Sequence, residues 1–172
     1  ADRPLTAGHA CDLATEVEWA KNRRLTPSTY VDGLGDHEPP IPSALMFRIF
    51  RGYEAEKADR GFVDFEDVLE LTIRMFDERP ETLAEVQEHF SAFTVDEYQD
   101  VNLLQQMLLD RWLGDRDELC AVGDDYQSIY AFTGATPAYL LGLPTRLSNT
   151  TVIRLEDNYR SSLLYTSDAA DD

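Results

Sequence analysis

The stretch Phe93-Thr94-Val95-Asp96-Glu97-Tyr98-Gln99-Asp100 decides how this chain folds. It is a short β-prone run that ends abruptly in carboxylates. Asn102 to Leu113 follows, rich in Leu and Met, and predicts a helix closed by Gly114. Leu119-Cys120-Ala121-Val122 is then a continuous apolar run, the pattern of a strand buried on both faces, and it stops at Gly123-Asp124-Asp125. Strand, helix, strand predicts an α/β fold with a mostly parallel sheet and flanking helices.

Upstream the pattern is helical. Leu13 to Ala20 places Leu13, Val17 and Ala20 on one face, and Thr26-Pro27 ends it. Val31 to Pro42 holds two Gly and three Pro residues and predicts a loop. A second helix is expected over Ser43 to Ala58, with Leu45, Ile49, Phe50 and Tyr53 as its apolar members. Asp64 is placed to cap a third, with Asp67 in its acidic first turn and Phe65, Val68, Leu69, Thr72 and Phe76 at helical spacing. Pro80 starts a fourth, whose apolar face is Leu83, Val86 and Phe90. Downstream, Pro137 to Leu143 predicts a short helix and Thr151-Val152-Ile153-Arg154-Leu155 another strand.

The whole chain has 172 residues, 33 acidic against 15 basic, for a net charge of −18. That balance argues against a simple basic nucleic-acid-binding module. The charge is uneven: −2 over residues 1–60, −7 over 61–95 and −9 over 96–172. The near-neutral first third carries Lys21, Arg23 and Arg24, the expected place for contact with a phosphate backbone. No apolar run spans a membrane, and no basic-then-apolar leader opens the chain. Cys11 and Cys120 are too few for a disulfide framework or a metal cluster, which fits a reducing, cytoplasmic setting.

Three polar clusters fall where α/β sheets place their ligand sites, at the carboxyl ends of strands. In the first, the adjacent carboxylates Asp96 and Glu97 suit a divalent metal and a water. Alone, such a pair also fits an exposed acidic turn before a helix. The second runs from Val122 to Ala135. There Gln127 can bond a phosphate or water, and Tyr130 and Phe132 can stack on bases. Packing of at least one of these rings under the loop is the plainer alternative. The third is Arg154-Leu155-Glu156-Asp157-Asn158-Tyr159-Arg160-Ser161, where Arg160 can meet phosphoryl charge or a neighbouring carboxylate.

In this order and spacing the clusters resemble the UvrD/Rep/PcrA family of superfamily 1 DNA helicases. Residues 95–100 resemble its motif II (Walker B), 123–135 its motif III and 155–161 its motif IV. Val63-Asp64-Phe65-Glu66-Asp67-Val68-Leu69 resembles a segment before motif II. The resemblance implies a partial RecA-like P-loop NTPase domain with a helical insertion. Residues 1–60 would be the insertion, 61–149 the second half of the first motor domain, and 150–172 the start of the second, with an anomalous tail from about 163. It implies ATP and Mg²⁺ as cofactors, and single-stranded DNA and duplex junctions as partners. Asp96 would hold the Mg²⁺ and Glu97 act as general base. Gln127 would sense the terminal phosphate, Tyr159 stack on adenine, Arg160 serve as an arginine finger, and Tyr130 and Phe132 meet DNA.

Departures from the family pattern matter as well. The chain's two lysines, Lys21 and Lys57, follow Ala20 and Glu56, so no G-x-x-x-x-G-K-[ST] loop occurs in it. It is therefore expected to be an internal piece that does not hydrolyse ATP alone. Thr133 stands where many relatives carry an arginine. The helicase part of a RecB- or AddA-like helicase–nuclease shares these motifs and would carry a nuclease domain downstream. A non-catalytic relic or binding module that keeps the fold is the third reading, and finding a Walker A loop upstream in the reading frame would count against it.

Overall fold

The structure, a computed structural model, describes residues 7–155. Helices α1 (Ala7–Asn22) and α2 (Ser43–Arg60) flank a long connection. Leu13, Val17 and Ala20 are buried as their spacing predicts, and with Trp19 they pack against Met46 and Phe50 of α2 and Tyr30 of the connection. That connection has turns only, but it is tied down. The Tyr30 hydroxyl donates to Glu16 Oε1 at 2.5 Å, and His37 bonds the other Glu16 oxygen at 2.8 Å while its ring stacks on Trp19. The buried stripe of α2 differs from the expected one. It is Met46 and Phe50, four residues apart, and it leaves Leu45 and Tyr53 exposed at its flanks.

Asp64 caps α3 (Phe65–Glu78) as expected, within a reciprocal box. Its carboxylate accepts the Asp67 N–H at 2.8 Å, and the Asp67 carboxylate accepts the Asp64 N–H at 3.2 Å. The apolar face is shifted along the helix. Ile73 and Phe76 are buried against Leu104 and Leu108, whereas Phe65 is 87% exposed and Val68 is exposed too. The first turn of α3 is taken up by an ionic cluster instead. Pro80 opens α4 (Pro80–His89), and Leu83 and Val86 join the same core, while Phe90 lies just past the helix end and is exposed.

Strands β1 (Phe93–Val95) and β2 (Leu119–Ala121) are parallel, in register Phe93 with Leu119 and Val95 with Ala121. They are joined through α5 (Leu103–Leu113), capped reciprocally by Asn102 and Gln105 and ended at Gly114 with φ +61°. Phe93, Val95, Leu119 and Ala121 pack on Tyr98, Val101, Leu109 and Leu143, the last from α6 (Ala138–Arg146). The opposite face carries Thr94 and Cys120, both exposed. A strand buried on both faces is therefore corrected: among the described residues helices cover one face of a two-stranded sheet.

Thr151 to Leu155 is also corrected. It forms no strand, and Leu155 is 90% exposed. A strand needs a neighbouring edge for its N–H and C=O groups, and among the described residues no ladder forms there. Cys11 and Cys120 are both free and exposed. Among the described residues no helix is long and apolar enough to cross a membrane.

Candidate functional site

The carboxyl ends of β1 and β2 lie side by side, and backbone bonds continue past the strands. Val122 N–H donates to Val95 O at 2.8 Å, and Tyr98 N–H to Val122 O at 2.9 Å. Residues 96–100 and 123–128 therefore leave the sheet as neighbours. Asp96 and Glu97 are both exposed there. Asp96 Oδ1 accepts the Glu97 N–H at 2.9 Å, and Glu97 sits in the left-handed region at φ +51°. That conformation is sparsely populated by residues with a Cβ and throws the side chain out of line with the strand.

Gln127 meets this pair through intermediates. Its Nε2 donates to Asp124 Oδ2 at 2.6 Å. The Asp124 N–H donates to Gln99 Oε1 at 3.1 Å, and Gln99 Nε2 donates to Glu97 Oε2 at 2.7 Å. Sequence reasoning named both ends of this chain and passed over Gln99 at its middle. Gln99 is buried beside Tyr98 while Asp96 and Glu97 stay exposed, and that burial is not displayed by the residue pattern alone. Asp100 anchors the second loop from below, accepting from Ser128 Oγ at 3.2 Å and Ile129 N–H at 3.3 Å.

Tyr98 holds the turn to the scaffold. It is buried, its hydroxyl donates to Gln106 Oε1 at 2.6 Å, and Arg146 donates to the hydroxyl oxygen at 3.1 Å. Burial, more than any neighbouring charge, pushes its phenol above the ordinary value.

Tyr130 and Phe132 stand on the following loop, 48% and 57% exposed, with ring centroids 6.0 Å apart and planes tilted by 40°. Neither packs beneath the loop, so that alternative is corrected. The turn Ala131–Thr133 rests on α1, where Asn22 Nδ2 donates to Thr133 O at 2.8 Å. Tyr159 and Arg160 lie outside the described residues.

The expected basic contact surface is largely engaged elsewhere. Lys21 Nζ lies 2.5 Å from Asp64 and 2.6 Å from Asp67, and Lys57 Nζ lies 2.9 and 2.6 Å from the same pair. Glu54 completes the cluster at 3.4 Å from Lys21 and 3.0 Å from Lys57. Desolvation opposes ionisation here, yet the lysine hydrogen bonds outweigh it and hold Asp64 and Asp67 below the usual carboxylate range. Lys57 is shifted the other way, upward, its carboxylate bonds overcoming burial. Arg24 grips Glu70 with two bonds of 2.8 and 2.6 Å. Of the three cations only Arg23, laid 5.0 Å over the Trp19 ring, forms no ion pair among the described residues.

Comparison with known proteins gives consistent matches. The model of the UvrD/REP helicase N-terminal domain matches residues 5–147. The chain is 43% identical to the ATP-dependent DNA helicase UvrD2 of Mycobacterium tuberculosis over 157 residues, 88% of this chain and 22% of that protein. It is 35% identical to the ATP-dependent DNA helicase PcrA of Bacillus subtilis, over 85% of this chain and 19% of the relative. Against PcrA of Leuconostoc citreum the identity is 34%, over 83% and 19%. The chain thus spans about a fifth of the length of these relatives.

Proposed function

The chain belongs to the UvrD/REP helicase N-terminal domain family, and on that premise we propose that it is part of an ATP-dependent DNA helicase. The complete protein couples ATP hydrolysis to movement along single-stranded DNA and to unwinding at duplex junctions. In this reading residues 61–149 are the second half of a RecA-like P-loop domain, 1–60 its helical insertion and 150–172 the start of a second motor domain. The observation that carries it is the hydrogen-bonded chain from Gln127 through Asp124 and Gln99 to Glu97, set at the carboxyl ends of two parallel strands. It joins a group able to touch a phosphate to one able to take a proton from water.

The donor set at Asp96 fits Mg²⁺. The carboxylate is exposed and offers hard oxygens, and its one hydrogen bond among the described residues comes from the Glu97 N–H to Oδ1. When bound, the ion supplies charge neutralisation and Lewis acidity at the phosphates. Glu97 takes the proton of the attacking water as general base. Gln127 exchanges its bond to Asp124 for one to the terminal phosphate, so its loop reports nucleotide state. Tyr159 stacks on adenine, and Arg160 sets a guanidinium against the phosphoryl charge, a class of contact worth about 10³–10⁵ in rate. Tyr130 and Phe132 offer faces to the bases of single-stranded DNA.

A phosphate-cradling loop needs a lysine free to reach the phosphates. Lys21 and Lys57 are both held by Asp64 and Asp67. The lysine of that loop therefore comes from elsewhere in the complete protein. Phosphate release, measured with ATP and Mg²⁺ in the presence and absence of single-stranded DNA, tests the reading. The full-length protein is expected to turn over faster with DNA, and the 172-residue chain alone to release none. Turnover by the short chain would refute the lysine argument, and a full-length protein inert with DNA would refute the helicase reading.

A further inference from the structure

Gln99 is 1% exposed, yet its carboxamide faces polar groups of the site on both sides. Nε2 donates to Glu97 Oε2 at 2.7 Å and to Asp100 Oδ2 at 3.2 Å. Oε1 accepts the Asp124 N–H at 3.1 Å. These partners fix the amide's orientation, because the two carboxylates only accept and the backbone N–H only donates. Among the described residues Gln99 is the hydrogen-bond donor to the Glu97 carboxylate. The loop that carries Gln127 is built around the same amide. A Cβ added at Gly123 would stand 2.5 Å from Gln99 Oε1 and 3.2 Å from Gln99 N, so the loop comes this close only with glycine there.

We propose that Gln99 is a positioning residue for hydrolysis: its carboxamide aims the Glu97 carboxylate and ties that aim to the loop carrying Gln127. The inference rests on Glu97 acting as the base. Glu97 has a left-handed backbone and an exposed side chain, so its direction is set by what holds it. With Gln99 in place, a movement of Gln127 toward a phosphate releases Asp124 and reaches Glu97 through one amide. Methionine would fill the same space and hold neither end. Glutamate would keep the shape and an acceptor for Asp124, but would set an acceptor against two carboxylates.

The test uses the full-length protein with single-stranded DNA. In Gln99→Met, kcat for ATP should fall about tenfold to a hundredfold, the scale of a misplaced reacting group. KM for ATP and DNA affinity should stay within about twofold of wild type, the split expected when only transition-state positioning is lost. Gln99→Glu should lose at least as much, and Gly123→Ala should shift kcat in the same direction with Gln99 present. The Gln99→Met, Gln127→Ala double variant should be no slower than the slower single variant, since both act through one chain. A space-filling role predicts near wild-type kcat for Gln99→Met, and that result overturns the proposal, as do fully additive losses in the double variant. Glu97→Gln is the control for the underlying reading. If it is inactive while Gln99→Met is normal, only the role of Gln99 fails. If Glu97→Gln is active, the assignment of the base fails instead.

Discussion

Tyr130 and Phe132 are offered to solvent as a pair, with their rings tilted and 6.0 Å apart. Their loop needs neither ring for its own packing, since it is held by Ser128 on Asp100 and by Asn22 on Thr133. Truncating Phe132 or Tyr130 to Ala in the full-length protein should weaken single-stranded DNA binding by about 1–3 kcal/mol per ring. Fluorescence anisotropy of a labelled oligonucleotide reads the change, with thermal unfolding left nearly unchanged. Unaltered affinity in both variants would remove these rings from the DNA surface. The proposed roles of Asp96, Glu97, Gln127, Tyr130 and Phe132 were readable one by one as proposals, because each rests on a side-chain type at a strand end or in the loop after it. Gln99 was not. Its part depends on burial and on the approach of a second strand end at Gly123, which no single-residue pattern displays.

At the scale of elements, Asp64 does two jobs. It caps α3 and it joins Lys21 of α1 and Lys57 of α2 to that cap. Asp64→Ala removes a cap worth about 1 kcal/mol and leaves two largely buried ammonium groups short of a partner, for a loss of about 3 kcal/mol in all. Denaturant unfolding at neutral pH measures it, and a change under about 0.5 kcal/mol would contradict the cluster's importance. The pH dependence follows from the directions of the shifts. Asp64 and Asp67 are held below their unfolded values, so their stabilisation is complete above about pH 4 and is lost as pH falls through the folded values. Lys57 is raised, so its share is complete below about pH 10 and is lost as pH rises through its folded value. The Asp64 cap, the Pro80 start and the Gly114 stop were legible because each is a local backbone requirement. The apolar faces of α2 and α3 were not, since which stripe is buried depends on the partner helix. Phe65 and Val68 fit the helical period and still face outward, because α5 meets the other end of α3.

For the whole molecule, the net charge of −18 suggests avoidance of nucleic acid, but the structure redistributes that argument. Lys21, Arg24 and Lys57 of the first third serve internal ion pairs, and the surface proposed to meet DNA is the aromatic pair Tyr130 and Phe132. The α/β class was legible from β1, α5 and β2. The extent of the sheet was not, because burial on both faces requires neighbours that the apolar run alone cannot supply. Phe62, Val63, Phe65, Tyr126 and Ile129 are all exposed, as is the Thr94–Cys120 face of the sheet. Apolar side chains left exposed in this number, together with an uncovered sheet face, favour association. The 172-residue chain alone should therefore bind anilinonaphthalene sulfonate and self-associate at micromolar concentration. A monomer in sedimentation that binds no dye and melts cooperatively would contradict this.

The most direct test of the account is ATP turnover by the full-length protein carrying Glu97→Gln, at saturating ATP and single-stranded DNA. The account predicts a fall of at least about a hundredfold in phosphate release, the scale of a lost general base, with ATP and DNA still bound. Turnover within a few-fold of wild type would show that Glu97 is not the base and that the site at the ends of β1 and β2 is not where hydrolysis occurs.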